Sequence, residues 1–191
     1  MYCGCDITWK GSKGAGAVNL ASCGYSVRKN PIRANRVEWE HVMSASTMAK
    51  GRDLSCWKQG GRKLCQSDPL YLEMASNLHN LHPSNGEANA DRSNFDFASW
   101  SSSVGSNYGQ CDLKVDFKNR KVSPPEPSRG QIARAILYMS ERYEIPLSTA
   151  MYNEMWHWHQ TNQVSDWECL RDRRIAKIQG DHNPFVKQQC I

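Results

Sequence analysis

Apolar and polar residues alternate in two short segments of this chain, and such alternation predicts β-strands with one buried face. In residues 37–40, valine and tryptophan alternate with two glutamates. In residues 112–118, leucine, valine and phenylalanine occupy every second position. We therefore expect a short, half-buried strand in each segment.

Helical periodicity dominates the rest of the pattern. It predicts one helix over residues 70–81 and a shorter, more polar helix over residues 85–94. Prolines at three positions between residues 124 and 127 then mark a break, because proline lacks a backbone donor and disrupts a helix interior. The last third of the chain, after this break, is expected to be helical.

Two amphipathic helices are predicted at the start of that last third. They cover residues 132–143 and 147–158, where apolar residues recur three and four positions apart, and Pro146 separates them. The sequence Ser-Asp-Trp-Glu at residues 165–168 is a capping box, which typically opens a helix. This third helix is predicted to end at Gly180.

The amino-terminal segment, residues 1–35, is rich in glycine, lysine and serine, which indicates a loop-like arm. The predicted fold class is therefore α+β, dominated by helices, with a few short strands. At 191 residues the chain is most simply one domain over residues 1–191. A chain of this length can bury about 70% of its unfolded surface in one core.

The charge balance favours a negatively charged partner. Lysine and arginine total 24 against 19 aspartates and glutamates, giving a net charge of +5. This modest excess favours polyanions without identifying one. No apolar run reaches the roughly 18 residues that a membrane helix requires, and no signal-like segment opens the chain. If the protein is exported, we expect that its signal has already been removed.

The eight cysteines are spread along the whole chain, which fits four disulfides and an oxidising compartment. Structural zinc is the competing explanation, although closely spaced cysteine pairs typical of zinc knuckles are missing. Cys3 and Cys5 are too close to pair comfortably with each other, whereas Cys56 and Cys65 bracket a Gly-Gly turn and fit a local bridge. The spacing leaves the rest of the connectivity open. The full set is Cys3, Cys5, Cys23, Cys56, Cys65, Cys111, Cys169 and Cys190.

Glu40 and His41 are the first candidates for chemistry, because they are adjacent. A carboxylate can ligate a hard cation, and an imidazole titrates near neutral pH, so together they can support metal-assisted hydrolysis of a phosphate ester. An ordinary solvated strand end would carry the same two residues. Adjacent strand residues point to opposite faces, so both can serve one site only if the strand ends or bends here.

Two pairs of histidines offer a different chemistry, that of a zinc hydrolase. His79 and His82 lie three positions apart, and His157 and His159 lie two apart. Residues two apart on a helix point away from each other, which disfavours the second pair. The first pair lacks a third nearby ligand. Zinc at these positions remains an alternative.

Six segments of the chain carry motifs whose combination is more specific than any one of them. They are residues 38–42, 60–63, 77–83, 86–95, 129–134 and 179–185. Taken in this order, the motifs closely resemble those of the bacterial endonuclease I family, and the resemblance covers essentially the whole chain. It implies a periplasmic or secreted, disulfide-containing nuclease that cuts single- and double-stranded DNA, and RNA, with little sequence preference and leaves 5′-phosphate ends.

The same resemblance implies a ββα-metal (His-Me finger) active site. Position by position, His41 matches the general base and Arg62 matches the arginine on the scissile phosphate. Glu40 and Asn89 match the two protein ligands of a single Mg²⁺, for which Mn²⁺ or Ca²⁺ could substitute. Oxygen ligands and retained waters suit Mg²⁺. A buried chloride, present in some relatives, is a further expectation.

Three residues depart from the usual family pattern without removing a proposed catalytic group. Ser44, Asn77 and Ala90 stand where the family commonly has proline, aspartate and glycine. The change at Asn77 removes a carboxylate that could orient a ligand or His79.

Substrate binding is expected to depend mainly on backbone phosphates, because a nuclease without sequence preference needs charge and shape. We expect the protein to act as a monomer. The rival interpretation is a disulfide-stabilised, secreted module that binds nucleic acid without catalysis. The basic candidates for phosphate contacts are Arg92, Lys114, Arg129, Arg134 and Lys177.

Overall fold

A computed structural model describes residues 1–190, which form two compact units. The first unit combines Met1–Glu40 with Pro83–Ser128, and the second combines His41–His82 with the chain from Arg129 onward. Each unit therefore joins two separated stretches of sequence. No single cut of the chain would release either unit, and the single domain over residues 1–191 stays a prediction.

Helices and short strands alternate along residues 1–190. In chain order they are β1 (Asp6–Lys10), β2 (Ala15–Asn19), α1 (Pro31–Ala34), β3 (Val37–His41), α2 (Ala45–Gly51), α3 (Ser55–Cys65), α4 (Pro69–Ser76), β4 (Leu81–Asn85), α5 (Gly86–Arg92), β5 (Asp96–Phe97), β6 (Lys114–Asp116), β7 (Lys121–Ser123), α6 (Glu126–Tyr143), α7 (Thr149–Thr161), α8 (Asp166–Gln179) and α9 (Pro184–Lys187). Single turns of 3-10 helix cover Leu20–Cys23 and Leu78–Asn80. The predicted α+β class with dominant helices is confirmed.

The first unit contains most of the β-structure. β1 and β2 form an antiparallel hairpin, β3 and β4 form a two-stranded sheet, and β5, β7 and β6 form a three-stranded sheet in that order. The hairpin corrects the prediction of a loop-like arm over residues 1–35. Gly11 and Gly14 have φ of 63° and 69°, which lets the chain reverse tightly between two strands. Glycine in this segment therefore marks a turn between strands.

The strand predicted over residues 37–40 exists as β3, but it buries Glu40 and exposes Trp39, the reverse of what the apolar alternation predicts. Trp39 is 45% exposed, whereas Glu40 is 1% exposed. Glu40 is stabilised inside because Tyr2 Oη donates to its Oε1 at 2.6 Å and Arg92 Nη1 donates to the same atom at 2.9 Å. A buried carboxylate requires partners of this kind. β3 ends at His41, which confirms that the strand stops at the Glu-His pair.

The predicted helices differ from the observed ones mainly at their ends. The helix predicted over residues 70–81 is α4, which stops at Ser76 because Asn77 adopts an extended conformation (ψ 116°). The predicted polar helix is α5, and the strand predicted over residues 112–118 is the three-residue β6. Four helices, α1, α2, α3 and α9, were not predicted.

The three carboxyl-terminal helices, α6 to α8, confirm the periodicity in this part of the chain. The capping box is present at the start of α8, where Ser165 Oγ accepts from the backbone N–H of Glu168 at 3.3 Å. In return the Ser165 N–H donates to Glu168 Oε2 at 3.2 Å. Gly180 follows the helix with φ of 92°, a left-handed conformation that ends α8 where the sequence predicts.

All eight cysteines form disulfides within the described chain, so the zinc-knuckle alternative is wrong. Cys56 and Cys65 form the predicted local bridge. Cys3 and Cys5 each pair with a different partner, as their spacing requires. The four bridges are Cys3–Cys111, Cys5–Cys23, Cys56–Cys65 and Cys169–Cys190.

Candidate functional site

Asn89 lies in the middle of α5 in the first unit. The helix begins at Asn85, whose side chain accepts from the Ala88 N–H at 2.7 Å. Asn89 Nδ2 donates to Glu38 Oε2 of β3 at 3.0 Å. A carboxylate oxygen can only accept, so this bond fixes which end of the amide faces Glu38. The carbonyl oxygen Oδ1 is thereby left as the atom that could ligate a cation.

Glu38 is held by two arginines besides Asn89. Arg33 donates to it through Nε and Nη2, both at 2.8 Å, and Arg36 donates through Nε at 2.9 Å and Nη2 at 2.6 Å. Burial disfavours the ionised form of Glu38, but these hydrogen bonds outweigh it and hold the pKa of the carboxyl below its usual range. Glu38 is therefore an ionised, well-anchored acceptor for the Asn89 amide.

Glu40 differs from Glu38 in burial and in charge balance. Burial raises the pKa of its carboxyl, while Arg92 and Tyr2 act in the opposite direction. Both hydrogen bonds to Glu40 fall on Oε1. Oε2 is therefore the oxygen that could ligate a cation. The structure joins Glu40 to Arg92 and Asn89 to Glu38, two contacts that the sequence does not reveal.

Glu87 fixes the position of α5 against the loop that precedes α1. Its Oε1 accepts from the backbone N–H groups of Lys29 and Asn30, both at 2.6 Å. Its Oε2 accepts from the Arg28 N–H at 2.9 Å and from Tyr25 Oη at 3.0 Å. Burial opposes the ionised form, but the backbone donors keep the pKa of Glu87 below its usual range.

Asp91 fixes the next turn of α5. It accepts from Arg28 Nη2 at 2.6 Å and from Tyr108 Oη at 2.7 Å. Glu87 and Asp91 are four residues apart, with Asn89 between them, so α5 is anchored on both sides of Asn89. Sequence reasoning did not assign these two carboxylates, although both lie within the recognised motif over residues 86–95.

His41 belongs to the second unit, and a contact with the backbone of Ala75 helps to orient its ring. Nε2 lies 2.8 Å from the backbone oxygen of Ala75. A carbonyl oxygen can only accept, so we assign the proton of the neutral ring to Nε2. Nδ1 then carries the lone pair and can accept a proton. This is the tautomer that a general base requires.

Arg62 also belongs to the second unit and is exposed on α3. It follows Gly61, whose φ of 61° and ψ of −150° interrupt the helix. The disulfide Cys56–Cys65 closes across this kink. The stapled kink constrains the backbone that carries Arg62, and a guanidinium group suits a phosphate contact.

The five basic candidates for phosphate contacts fall into two groups. Arg92 and Arg134 are buried. Arg134 donates to both carboxylate oxygens of Glu168 at 2.8 Å, and Arg92 pairs with Glu40, so these placements favour structural roles. The candidates with less burial are Lys114, half-buried beside Asp112; Arg129, stacked over Trp158; and Lys177, exposed on α8.

The histidine pairs do not form a metal site. His79 Nε2 lies 3.1 Å from the backbone oxygen of Asp181, and burial lowers the pKa of both His79 and His82. Across residues 1–190, three or more histidine, cysteine, aspartate or glutamate side chains are nowhere grouped to hold a metal ion. The zinc alternative therefore has no ligand set in this part of the chain.

Comparison with known proteins identifies the class first and the family second. A strand that ends in Glu40 and His41, followed in the chain by a short helix that carries Asn89, is consistent with a ββα-metal nuclease, and related proteins are nucleases by name. The chain belongs to the Endonuclease I family, whose sequence profile matches residues 1–190.

Three relatives illustrate the similarity. Endonuclease-1 of Buchnera aphidicola subsp. Baizongia pistaciae is 49% identical over 191 residues, which cover all of this chain and 76% of the relative. An extracellular deoxyribonuclease of Aeromonas hydrophila is 47% identical, and a periplasmic deoxyribonuclease of the same species is 45% identical. All of this chain aligns in both cases, together with 82% and 78% of the relatives. None of the helices in residues 1–190 has the length and apolar character needed to cross a bilayer.

Proposed function

We propose that the protein is a Mg²⁺-dependent endonuclease without sequence preference. It hydrolyses phosphodiester bonds of single- and double-stranded DNA, and of RNA, and leaves 5′-phosphate ends. The observation that carries the proposal is the contact between His41 Nε2 and the Ala75 carbonyl, which leaves Nδ1 as a proton acceptor directly after Glu40. Relatives named as extracellular and periplasmic deoxyribonucleases support an enzyme that acts outside the cytoplasm, and we propose that it acts as a monomer.

In this mechanism the His41 imidazole removes a proton from the water that attacks phosphorus. Arg62 presents a planar set of donors to phosphate oxygens, on which charge increases in the transition state. The Ala75 carbonyl orients the imidazole throughout the reaction. His41 and Arg62 can each be replaced without removing the other, whereas the Ala75 carbonyl is a backbone group that no side-chain substitution removes.

Glu40 and Asn89 are the proposed metal ligands, and their donor atoms fit Mg²⁺. Both offer oxygen, and two protein ligands leave room for the waters that Mg²⁺ retains. Bound Mg²⁺ would neutralise charge on the scissile phosphate and on the departing 3′ oxygen. Glu38 holds the Asn89 amide so that Oδ1 is the donor, and Arg92 and Tyr2 hold one oxygen of Glu40.

The test of the function is digestion of supercoiled plasmid, single-stranded DNA and RNA by the oxidised protein with and without Mg²⁺. We expect nicked and linear plasmid, and fragments that a ligase accepts because they carry 5′-phosphates. EDTA should stop the reaction. Binding of all three substrates without any cleavage would refute the nuclease and favour the rival binding module. Cleavage that persists in EDTA would refute the metal requirement alone.

Glu38→Ala is expected to weaken metal binding by about 10- to 100-fold, the usual cost of removing a group that orients a metal ligand. Without Glu38 the Asn89 amide can rotate and present Nδ2, which cannot ligate a cation. Calorimetric titration of Mg²⁺ and Mn²⁺ into EDTA-stripped protein measures the effect without relying on activity.

Glu38→Gln is the matched control, because its amide oxygen can still accept from Asn89 Nδ2. It should bind metal more tightly than Glu38→Ala. Equal dissociation constants for the wild type and Glu38→Ala would show that Glu38 does not position Asn89. Melting temperatures of both variants check that Arg33 and Arg36, which lose their common partner, do not unfold the protein.

A further inference from the structure

Two tryptophans of the first unit form an exposed stack. The Trp9 and Trp39 rings have centroids 6.0 Å apart and planes within 24° of parallel. Trp9 is 48% exposed and Trp39 is 45% exposed. About half of each residue is exposed, so the pair presents aromatic surface to solvent.

The stack is held in place by the β1–β2 turn. Trp39 Nε1 donates to the Gly14 backbone oxygen at 3.0 Å. A Cβ at residue 14 would lie 3.0 Å from the same nitrogen, so glycine is needed for this close approach. The indole is thus fixed before any ligand arrives, which lowers the entropy cost of binding.

The β1–β2 turn beside the stack carries positive charge. Residues 7–37 contain six lysines and arginines and no aspartate or glutamate, although all three arginines among them are paired with carboxylates elsewhere in the chain. Lys10 and Lys13 lie at the turn, are exposed, and are paired with no carboxylate in the described chain. A polyanion would therefore meet positive charge beside the two exposed indole rings.

We propose that Trp9 and Trp39 are a stacking platform for unpaired nucleobases of single-stranded DNA or RNA, with Lys10 and Lys13 contacting the adjoining phosphates. Every base has a flat π-face, so stacking tolerates any sequence, as a nuclease without sequence preference needs. Side chains alternate along β3, so Trp39 points away from the face that carries Glu38 and Glu40. The platform is a second binding site, and it rests on the proposed nuclease function.

A comparison within the chain shows why the charge matters. Tyr152 and Trp156 on α7 also stack, with centroids 6.1 Å apart and planes within 6° of parallel. They are 46% and 37% exposed. Their helix, Thr149–Thr161, carries no lysine or arginine. The helix itself therefore supplies no positive charge beside this second stack, which serves as the matched control.

The experiment compares two fluorescent probes of about twelve nucleotides, a length within the usual range of single-strand sites. One is oligothymidylate and the other has the same backbone with abasic sites, so the two differ only in their bases. Fluorescence anisotropy in EDTA measures the affinity of the wild type, Trp9→Ala, Trp39→Phe and Tyr152→Ala for each. The ratio of the two affinities reports stacking and is independent of the protein's total charge.

We expect the wild type and Tyr152→Ala to prefer oligothymidylate by on the order of tenfold. In Trp9→Ala the ratio of the two affinities should fall towards one, and this variant should still cut plasmid duplex. Trp39→Phe retains an aromatic ring and should keep part of the preference for oligothymidylate. The double variant Lys10→Gln and Lys13→Gln should bind both probes more weakly by the same factor, and its affinity should depend less on salt concentration. An unchanged preference in Trp9→Ala, or none in the wild type, would overturn the platform even if cleavage is normal.

Two further outcomes have separate meanings. Wild-type protein that cuts no substrate at all refutes the proposed nuclease, whatever the probes show. A fall in molar mass on Trp9→Ala substitution, measured by light scattering, would show that a second copy of the chain covers the stack and would overturn the nucleobase assignment.

Discussion

His41→Ala is expected to lower the rate of plasmid cleavage by about 10²- to 10⁴-fold, the usual contribution of a general base. The variant loses the only assigned proton acceptor and keeps Glu40, Asn89 and Arg62. Metal binding should therefore remain close to that of the wild type. The measurement is the initial rate of supercoil loss at saturating Mg²⁺, with calorimetry to confirm that metal binding survives.

His157→Ala is the control for that experiment, because His157 is exposed on α7 and has no assigned role. It should cut at the wild-type rate. A pH profile adds a second readout, since the fall in rate at low pH expected of an enzyme with a histidine base should be absent from His41→Ala. If His41→Ala cuts within about twofold of the wild type, another group is the base.

The second large effect concerns Cys3–Cys111, whose cysteines are 108 residues apart in sequence. Replacing both with serine is expected to lower the free energy of unfolding by about 4 to 5 kcal/mol, because a long closed loop restricts the unfolded chain most. A typical domain is stable by about 5 to 15 kcal/mol, so this loss would leave little margin. Urea unfolding of the oxidised protein measures it.

Cys56–Cys65 is the matched comparison, since its cysteines are only 9 residues apart. Chain entropy assigns its removal about 2.5 kcal/mol, roughly 2 kcal/mol less than the long bridge. The same urea assay on both double-serine variants gives the difference directly. Equal losses, or a larger loss for the short bridge, would mean that native-state contacts rather than loop length determine the stabilisation.

The sequence predicted helices better than strands, for reasons that individual residues show. α8 has a capping box at Ser165 and a stop at Gly180, and both signals are local. α3 carries Gly60 and Gly61, which lower helix propensity, yet the bridge between Cys56 and Cys65 holds it. Pairing of cysteines is a tertiary fact, and helix propensity cannot report it.

The buried face of β3 could not be predicted because its determinants are distant. Glu40 is inside since Tyr2 and Arg92, 38 and 52 residues away in the chain, both donate to it. The Asn89 contact with Glu38 spans 51 residues. A pattern of apolar and polar residues records neither pairing, and it therefore assigned the tryptophan to the core.

In the candidate site too, some features follow from the sequence and others depend on contacts that the sequence does not record. Resemblance to a family suggested His41, Glu40, Asn89 and Arg62 as site residues, and those four assignments remain predictions. The tautomer of His41 depends on the carbonyl of Ala75, a backbone atom that every residue possesses. No sequence signal could have identified it.

The order of the cysteines along the chain has a consequence for how the protein matures. Cys3–Cys111 encloses Cys5–Cys23 and Cys56–Cys65, so it does not join neighbouring cysteines. A chain that crosses a membrane amino terminus first would present Cys3 long before Cys111, with Cys23 as a nearer partner. Correct pairing then requires either a delay or a reshuffling step by an isomerase. Such a delay would keep a destructive enzyme inactive until most of its length had left the compartment that holds the cell's own genome.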